Sequence, residues 1–269
     1  MSEIYDIGLL KPAIIKASNT IKDLKENVKV NYKNSSVNLV TTADLRSEEI
    51  IKNAIFEIFP KDGIISEESE DFNINSKRIW VIDPLDGTVN YANNIEQVAI
   101  TVSLIEDGVP QQSIVLDVYN NIFYEGYNGG GAFKNGNRLY LKKDTELNSA
   151  IVATGFPYDR TDYAEQYMPT LISILKNTGG VRRFGSAALD VCWIADNKFD
   201  AYFEFFIKPW DTLGACLILS EAGGQVIDET EKFPTLQSKL IIASNKKIHT
   251  EFKSLILNNI SHDLRNRIF

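Results

Sequence analysis

The stretch IWVIDPLDGTVNY, residues 79–91, constrains this chain more than any other. Ile79, Trp80, Val81 and Ile82 make an apolar run of the length of a buried strand. The run stops at Asp83 and Asp86, with Pro84 between them and Gly87 and Thr88 behind. A buried strand does not end in two uncompensated carboxylates, because removing each charge from water is costly. The plain compensation is a tight turn with an Asx cap. The other is a cation, with both aspartates facing one point at the carboxyl edge of a sheet. The Leu85 carbonyl, freed by the turn after Pro84, is then a further neutral ligand. Gly87 lets backbone approach an anion, and a helical turn opening at Thr88 offers N–H groups to a phosphate.

What the chain lacks narrows the choice. Its 269 residues hold two histidines, His249 and His262, and two cysteines, Cys192 and Cys216. A Ser-His-Asp set or a Cys/His zinc site has almost nothing to be built from. The cysteines read as small buried apolar residues, not as a disulfide. The net charge of −8 leaves no nucleic-acid footprint over the whole chain. No apolar stretch approaches the ~20 residues of a membrane span. The acids ahead of the first apolar residues have the wrong sign for a secretion signal. A cytoplasmic protein with no membrane or nucleic-acid partner is expected.

Further acids stand out: Asp44 in TTAD, Glu67 and Glu68 in ISEES, and Asp211 in PWDTLGA. Taken singly, Asp44 and Asp211 read equally well as helix N-caps, and the glutamates as a solvated turn. Taken with Asp83 and Asp86 they suggest a site of hard oxygen ligands, which favours Mg²⁺ over zinc. Metal on the acids and phosphate on the Gly-Thr amides suits phosphoryl transfer to water.

Apolar spacing predicts a helix over about 4–25 and a second from about Asp44 to Phe59, with a polar segment between. After a short strand at Ile64-Ile65 and the strand at Ile79–Ile82, the segments Val98–Glu106, Gln112–Tyr119, Ile122–Tyr127 and Gly131–Phe133 read as an antiparallel meander. From Ser149 the pattern turns to α/β: strand (IVAT), helices over about 161–176 and Ser186–Ala195, strand (FDAYFEFF), helix Trp210–Ala222, strands GQVID and LIIAS, and a terminal helix. On FDAYFEFF, Tyr202 and Glu204 should share one face while Phe203 and Phe205 pack on the other. Two closely packed lobes are expected, 1–145 and 146–269.

DPLDGTVNY (83–91) resembles the first signature of the inositol monophosphatase family, and PWDTLGACLILSEAGG (209–224) resembles the second. NLVTTAD (38–44), SEES (66–69), GFPYD (155–159) and RRFGSAALD (182–190) fall in the family's order and spacing. The resemblance implies a layered α/β/α/β/α sandwich, two or three Mg²⁺ ions, a homodimer, lithium inhibition and a small phosphorylated substrate. It implies Glu67, Asp83 and the Leu85 carbonyl as ligands of one metal, and Asp83, Asp86 and Asp211 as ligands of another. Asp44 and Thr88 resemble the pair that activates water, acting with Glu67 as the catalytic set. Gly87 and Thr88 resemble the phosphate-binding amides. Gly185, Ser186 and Ala187 resemble the substrate loop, with Asp211 beside it, and Glu204 the acid that grips sugar hydroxyls. Ser66 stands where the family usually has glycine. Asn34 stands where it often has lysine, the nearest being Lys33. Arg182 and Arg183 read either as an anion-steering pair or as a solvated one.

The expected activity is therefore Mg²⁺-dependent hydrolysis of a small polyol or sugar phosphate, foremost myo-inositol monophosphate. Fructose-1,6-bisphosphate, histidinol phosphate and 3′-phosphoadenosine 5′-phosphate are the alternative substrates. DGTVNY is closer to the inositol type than to the DGTKEF of relatives that cleave the last of these. A non-catalytic binding protein that kept the fold is the rival from another class.

Overall fold

A computed structural model describes residues 7–27, 30–35, 38–157 and 160–269. The side chains of Lys33 and Asn34, and Tyr158 and Asp159 of the GFPYD motif, lie outside the described residues. Ile7–Leu10 forms a 3-10 turn leading into α1 (Lys11–Asp23), which buries Ile14, Ala17 and Ile21 on one side. A second 3-10 turn, Leu24–Asn27, closes it. The polar segment that follows is a hairpin of β1 (Val30–Ser35) and β2 (Asn38–Thr41). Thr41 caps α2 (Thr42–Ile58): its side chain accepts from Ala43 N, while the Asp44 carboxylate accepts the Thr41 N–H at 2.9 Å.

β3 (Gly63–Ser66) lies parallel to β4 (Arg78–Asp86), and the single-turn helix α3 (Thr88–Ala92) follows directly. β5 (Ala99–Glu106), β6 (Val109–Asp117), β7 (Ile122–Tyr127), β8 (Gly131–Lys134) and β9 (Asn137–Arg138) form the expected meander and complete a seven-stranded sheet. The β5–β6 turn shows why the sequence announces it. Asp107 and Gly108 both take positive φ, 47° and 82°, the geometry that joins twisted strands through two residues.

The second half supplies β10 (Ile151–Thr154), α4 (Arg160–Asn177), β11 (Gly180–Arg182), α5 (Ala187–Ala195), β12 (Ala201–Phe205), α6 (Pro209–Glu221), β13 (Gln225–Ile227), β14 (Leu240–Ser244), α7 (His249–Leu257) and α8 (His262–Ile268). Its five strands run in the order β11-β10-β12-β14-β13. The expected terminal helix is two helices, because Ser261 restarts the chain by accepting the Leu264 N–H.

Three apolar interfaces stack these elements into the α/β/α/β/α sandwich. Ile14 and Ile51 of α1 and α2 pack on Trp80 and Ile82 of the first sheet. Leu189 and Cys192 of α5, with Cys216 and Leu219 of α6, fill the space between Val115 and Tyr124 of that sheet and Tyr202 and Ile241 of the second. Both cysteines are buried and free. Phe203 and Phe205 point the other way, against Ile174, Phe252 and Leu264 of α4, α7 and α8. Among the described residues no helix is long and apolar enough to cross a membrane.

α6 presses on the first sheet at Gly126 of β7, where a Cβ would stand 3.0 Å from Ile218 Cα and 3.1 Å from its N. Gly126→Val raises strand propensity, so any loss isolates this packing. Urea unfolding should show destabilisation of about 1–3 kcal/mol. Unchanged stability would mean that α6 can retreat from β7.

Candidate active site

The site begins with an irregularity in β4. Asp83 pairs with Thr101 and Asp86 with Ala99, so three steps on β4 match two on β5. In an unbroken strand residues 83 and 86 would point to opposite faces. The bulge turns both into one cleft. It is held by the Leu85 N–H donating to Asp83 Oδ1 at 2.9 Å and by Ser47 Oγ donating to the Pro84 carbonyl at 2.7 Å. The chain then reverses at Gly87, whose φ is +96°. A Cβ there would stand 2.7 Å from the Gln97 carbonyl, so glycine is required twice over.

Glu67, just past β3, Asp83 and Asp211 of the first turn of α6 offer carboxylate oxygens within 4.8 Å of one another. Asp86 stands outside this trio. Its Oδ2 accepts from Ser186 Oγ at 2.6 Å and from the Ala188 N–H at 2.9 Å, at the start of α5. One pattern runs through the aspartates: Asp83 is tied to Leu85 N, Asp86 to Ala188 N, Asp211 to Lys208 N and Asp44 to Thr41 N, each through one oxygen. A backbone amide fixes each carboxylate without cancelling its charge, and in Asp83, Asp86 and Asp211 it leaves an oxygen for a cation. The donor set is all oxygen, which fits Mg²⁺.

Burial pushes all four carboxyls up. For Asp83 and Asp211 it is reinforced by the neighbouring acids, Glu67 and Asp86 among them, and both rise well above the usual range. Asp86 rises to about 6 because burial outweighs its bonds to Ser186 and Ala188. Asp44 also rises to about 6 through burial, opposed by Thr41 and Thr88. Asp44 is fully buried behind the cleft wall. It reaches the cleft through Thr88, whose Oγ1 donates to Asp44 Oδ1 at 3.0 Å and lies 3.2 Å from the Leu85 carbonyl.

The cleft has a volume of about 470 Å³. Glu67, Asp83, Leu85, Asp86, Gly87, Thr88, Asp211, Gly185, Ala187 and Glu204 all line it. Ser186 is the exception among the expected substrate-loop residues. It is buried behind the wall, caps α5 and spends its hydroxyl on Asp86. Gly185 takes φ +88°, and the loop is pinned by Asn90 Nδ2 donating to the Phe184 carbonyl at 2.6 Å. Tyr202 OH donates to Glu204 Oε2, as expected for side chains sharing a strand face. A Cβ at Gly155 would overlap the Glu204 carboxylate, so that glycine makes room for it. Burial lifts Glu204 to about 7 against the Tyr202 bond and Arg183. Arg183 lines the cleft, whereas Arg182 turns to the Val181 carbonyl.

Sequence reasoning missed Asp190, Lys208 and Gly155 on the cleft wall. Asp190 had a signal, being the lone acid in the otherwise apolar AALDVCWIA helix. Glu68, paired with Glu67 in the sequence, does not line the cleft.

The inositol monophosphatase family model matches residues 6–261. A protein of Neisseria meningitidis serogroup B, named as a putative Nus factor SuhB, is 37% identical over 218 residues, 81% of this chain and 84% of that protein. A fructose-1,6-bisphosphatase/inositol-1-monophosphatase of Aquifex aeolicus is 34% identical over 247 residues, 92% of this chain and 91% of its own. Among solved structures, an inositol monophosphatase from Anabaena (Nostoc) superposes with a TM-score of 0.85 at 30% identity, covering 94% of this chain and 95% of that one.

The four raised carboxyls have one sign of linkage. A folded-state pKa above the unfolded value adds stability that is complete below the unfolded pKa of 3.8 and is lost as pH rises through about 6 for Asp44 and Asp86. Asp83 and Asp211 extend the loss upward. In chelator, the melting temperature should fall between about pH 5 and about pH 7.5, and Mg²⁺ should flatten that fall. A slope that Mg²⁺ leaves unmoved would show that these acids share no cation.

Proposed function

The chain belongs to the inositol monophosphatase family, and from that premise we propose that it is a Mg²⁺-dependent phosphomonoesterase of small polyol or sugar phosphates, foremost myo-inositol monophosphate. The observation that carries this reading is the clustering of Glu67, Asp83 and Asp211 in one cleft with Glu204. Glu67, Asp83 and the Leu85 carbonyl would hold one Mg²⁺, and Asp83, Asp86 and Asp211 a second. When bound, Mg²⁺ supplies positive charge against the phosphoryl oxygens and lowers the pKa of water.

The chain's own residues divide the remaining work. Thr88 donates its hydroxyl hydrogen to Asp44, so its lone pairs accept a hydrogen bond from the attacking water. As the water oxygen attacks phosphorus, its proton passes to Thr88 Oγ1 and the Thr88 proton to ionised Asp44, while the ester P–O bond breaks and the alcohol leaves as an alkoxide that takes its proton from solvent water. A carboxyl with a pKa near 6 takes a proton in the transition state and returns it afterwards near neutral pH. The amides of Gly87 and Thr88 hold phosphoryl oxygens. Glu204 accepts hydrogen bonds from the alcohol, and the Gly185–Ala187 backbone shapes the wall beside it. The Aquifex relative's name brings fructose-1,6-bisphosphate into the substrate panel.

A phosphate-release assay over that panel tests the reading. Activity should require Mg²⁺, stop in EDTA and return with Mg²⁺ rather than Zn²⁺. Asp83→Asn should cost at least ~10³-fold in turnover while the fold persists, because charge is lost and volume kept. Near-normal turnover of this variant at saturating Mg²⁺ would remove Asp83 from the metal site.

Glu204→Gln isolates the alcohol side. A charge-assisted hydrogen bond contributes roughly 1.5–3 kcal/mol, so kcat/KM for inositol monophosphate should fall ~10- to 100-fold. An aryl phosphate, which offers no hydroxyls, should fall much less. Equal losses would make Glu204 a support of the metal site.

A second reading has one observation in its favour, the Nus-factor name of the Neisseria relative. On that reading the chain is a binding protein that kept the fold, and no ester tested at saturating Mg²⁺ would release phosphate. Retention of Asp44, Glu67, Asp83, Asp86 and Asp211 favours the enzyme.

A further inference from the structure

One buried acid on the cleft wall has no part in the chemistry above. Asp190 lies in the first turn of α5, is 2% exposed and lines the cleft. Among the described residues its Oδ1 has no hydrogen-bond partner. The hydroxyl four residues earlier could have served it, but Ser186 Oγ donates to Asp86 instead. The next residues along the helix, Val191 and Cys192, are buried and offer no strong donor. The charged groups around it are Asp86 and Glu204, with Arg183 opposing them. A buried carboxyl with an unmade hydrogen bond opposes folding; Asp190 Oδ1 is closed to solvent, so the carboxyl turns toward the cleft for a substrate to supply what the protein does not.

Glu204 shows what that partner would be. It sits on β12 of the second sheet, with Oε2 taken by Tyr202. Asp190 approaches the same end of the cleft from α5. Neither acid belongs to the Glu67–Asp83–Asp211 cluster, and the metal sets proposed above use neither. We propose that Asp190 is a second hydroxyl-reading residue, working with Glu204 so that the two carboxyls take two neighbouring hydroxyl groups of a cyclic polyol phosphate. The proposal rests on the phosphatase reading of the site. Burial, then Asp86 and Glu204, hold the Asp190 carboxyl well above the usual range against Arg183. Two acids fixed on separate rigid elements favour a ring with vicinal hydroxyls. An open-chain diol has rotors to freeze before it can satisfy both, and an aryl ester satisfies neither.

Asp190→Ala and Asp190→Asn, assayed with Mg²⁺ on myo-inositol 1-phosphate, glycerol 2-phosphate and 4-nitrophenyl phosphate, test this. Asp190→Ala should lower kcat/KM for the inositol ester by about 10-fold or more, chiefly through KM. The glycerol ester should lose less, and the aryl ester least. Asp190→Asn keeps the shape and a hydrogen-bonding head, so it should recover part of the loss. Combined with Glu204→Gln, the losses should be non-additive, as for two residues gripping neighbouring hydroxyls of one ring. Equal losses on all three esters would make Asp190 a support of the metal site and overturn the proposal, as would an unchanged inositol ester. If Asp190→Ala does not fold, the selectivity of Asp190→Asn decides by the same criteria. Wild-type protein that cleaves the aryl ester yet gains nothing from ring hydroxyls sinks this proposal alone. Wild-type protein that cleaves no ester sinks the phosphatase reading and the proposal with it.

Discussion

Like charges brought out of water repel more strongly than in it, and Glu67, Asp83, Asp86 and Asp211 meet where Asp83 is 1% and Asp86 8% exposed. Only a backbone that cannot relax holds such a group together. β4 meets this demand because it is paired on both sides, by β3 and β5, right up to its bulge. Asp211 is in the first turn of α6, where the helix end favours an acid. Asp86 reaches the start of α5, which supplies a hydroxyl and an amide. Both helices belong to the layer between the sheets, so the packing of that layer decides where the acids point. The interlayer core and the cleft are therefore one construction, and the apolar contacts of Leu189, Cys216 and Leu219 oppose the electrostatic cost of the site.

Much of this was legible in the sequence, for reasons that differ by element. α1 and α2 declare themselves because one face of each must be apolar at helical spacing, and α6 because its apolar run is longer than a strand, as a helix buried all round requires. The meander declares itself through turns such as Asp107-Gly108, whose backbone geometry few residues tolerate. The β1–β2 hairpin escaped because NYKNSSVN has no apolar alternation to mark a buried face. β11 escaped because three residues cannot show a period. The split of the last helix escaped because its cause is a single cap, Ser261, inside a run of acceptable helix formers.

The site follows the same division. Asp83, Asp86, Glu67 and Asp211 stood out because acids beside apolar runs demand explanation, and the family signatures assembled them. The bulge that lets residues 83 and 86 share a cleft is a property of the pairing between β4 and β5, and no local pattern carries it. Ser186 was expected on the wall with its neighbours, but a helix start needs a cap, and the serine that caps α5 is turned inward. Asp44 fits a helix cap or a water-activating acid by sequence, and the structure shows the cap together with a bond from Thr88. One oxygen closes the capping box with Thr41, while the other accepts from Thr88.

On the phosphatase reading proposed above, the cleft has a phosphate end on the first sheet and α6 and an alcohol end on the second sheet and α5, and this has a consequence for specificity. The acids of the phosphate end ride on the first sheet and on the helix that leans against it. The alcohol end is built from β12, α5 and Gly155 after β10, all from the second half of the chain. Substitution at the alcohol end can therefore change which ester fits without moving Asp83 or Thr88. Gly155 is the sharpest instance. Any side chain there must displace the Glu204 carboxylate, and a displaced Glu204 reads a different alcohol while the phosphate end keeps its shape. On that reading, a cleft divided in this way would let one set of acids serve several small phosphate esters, with the choice among them written in residues away from the phosphorus.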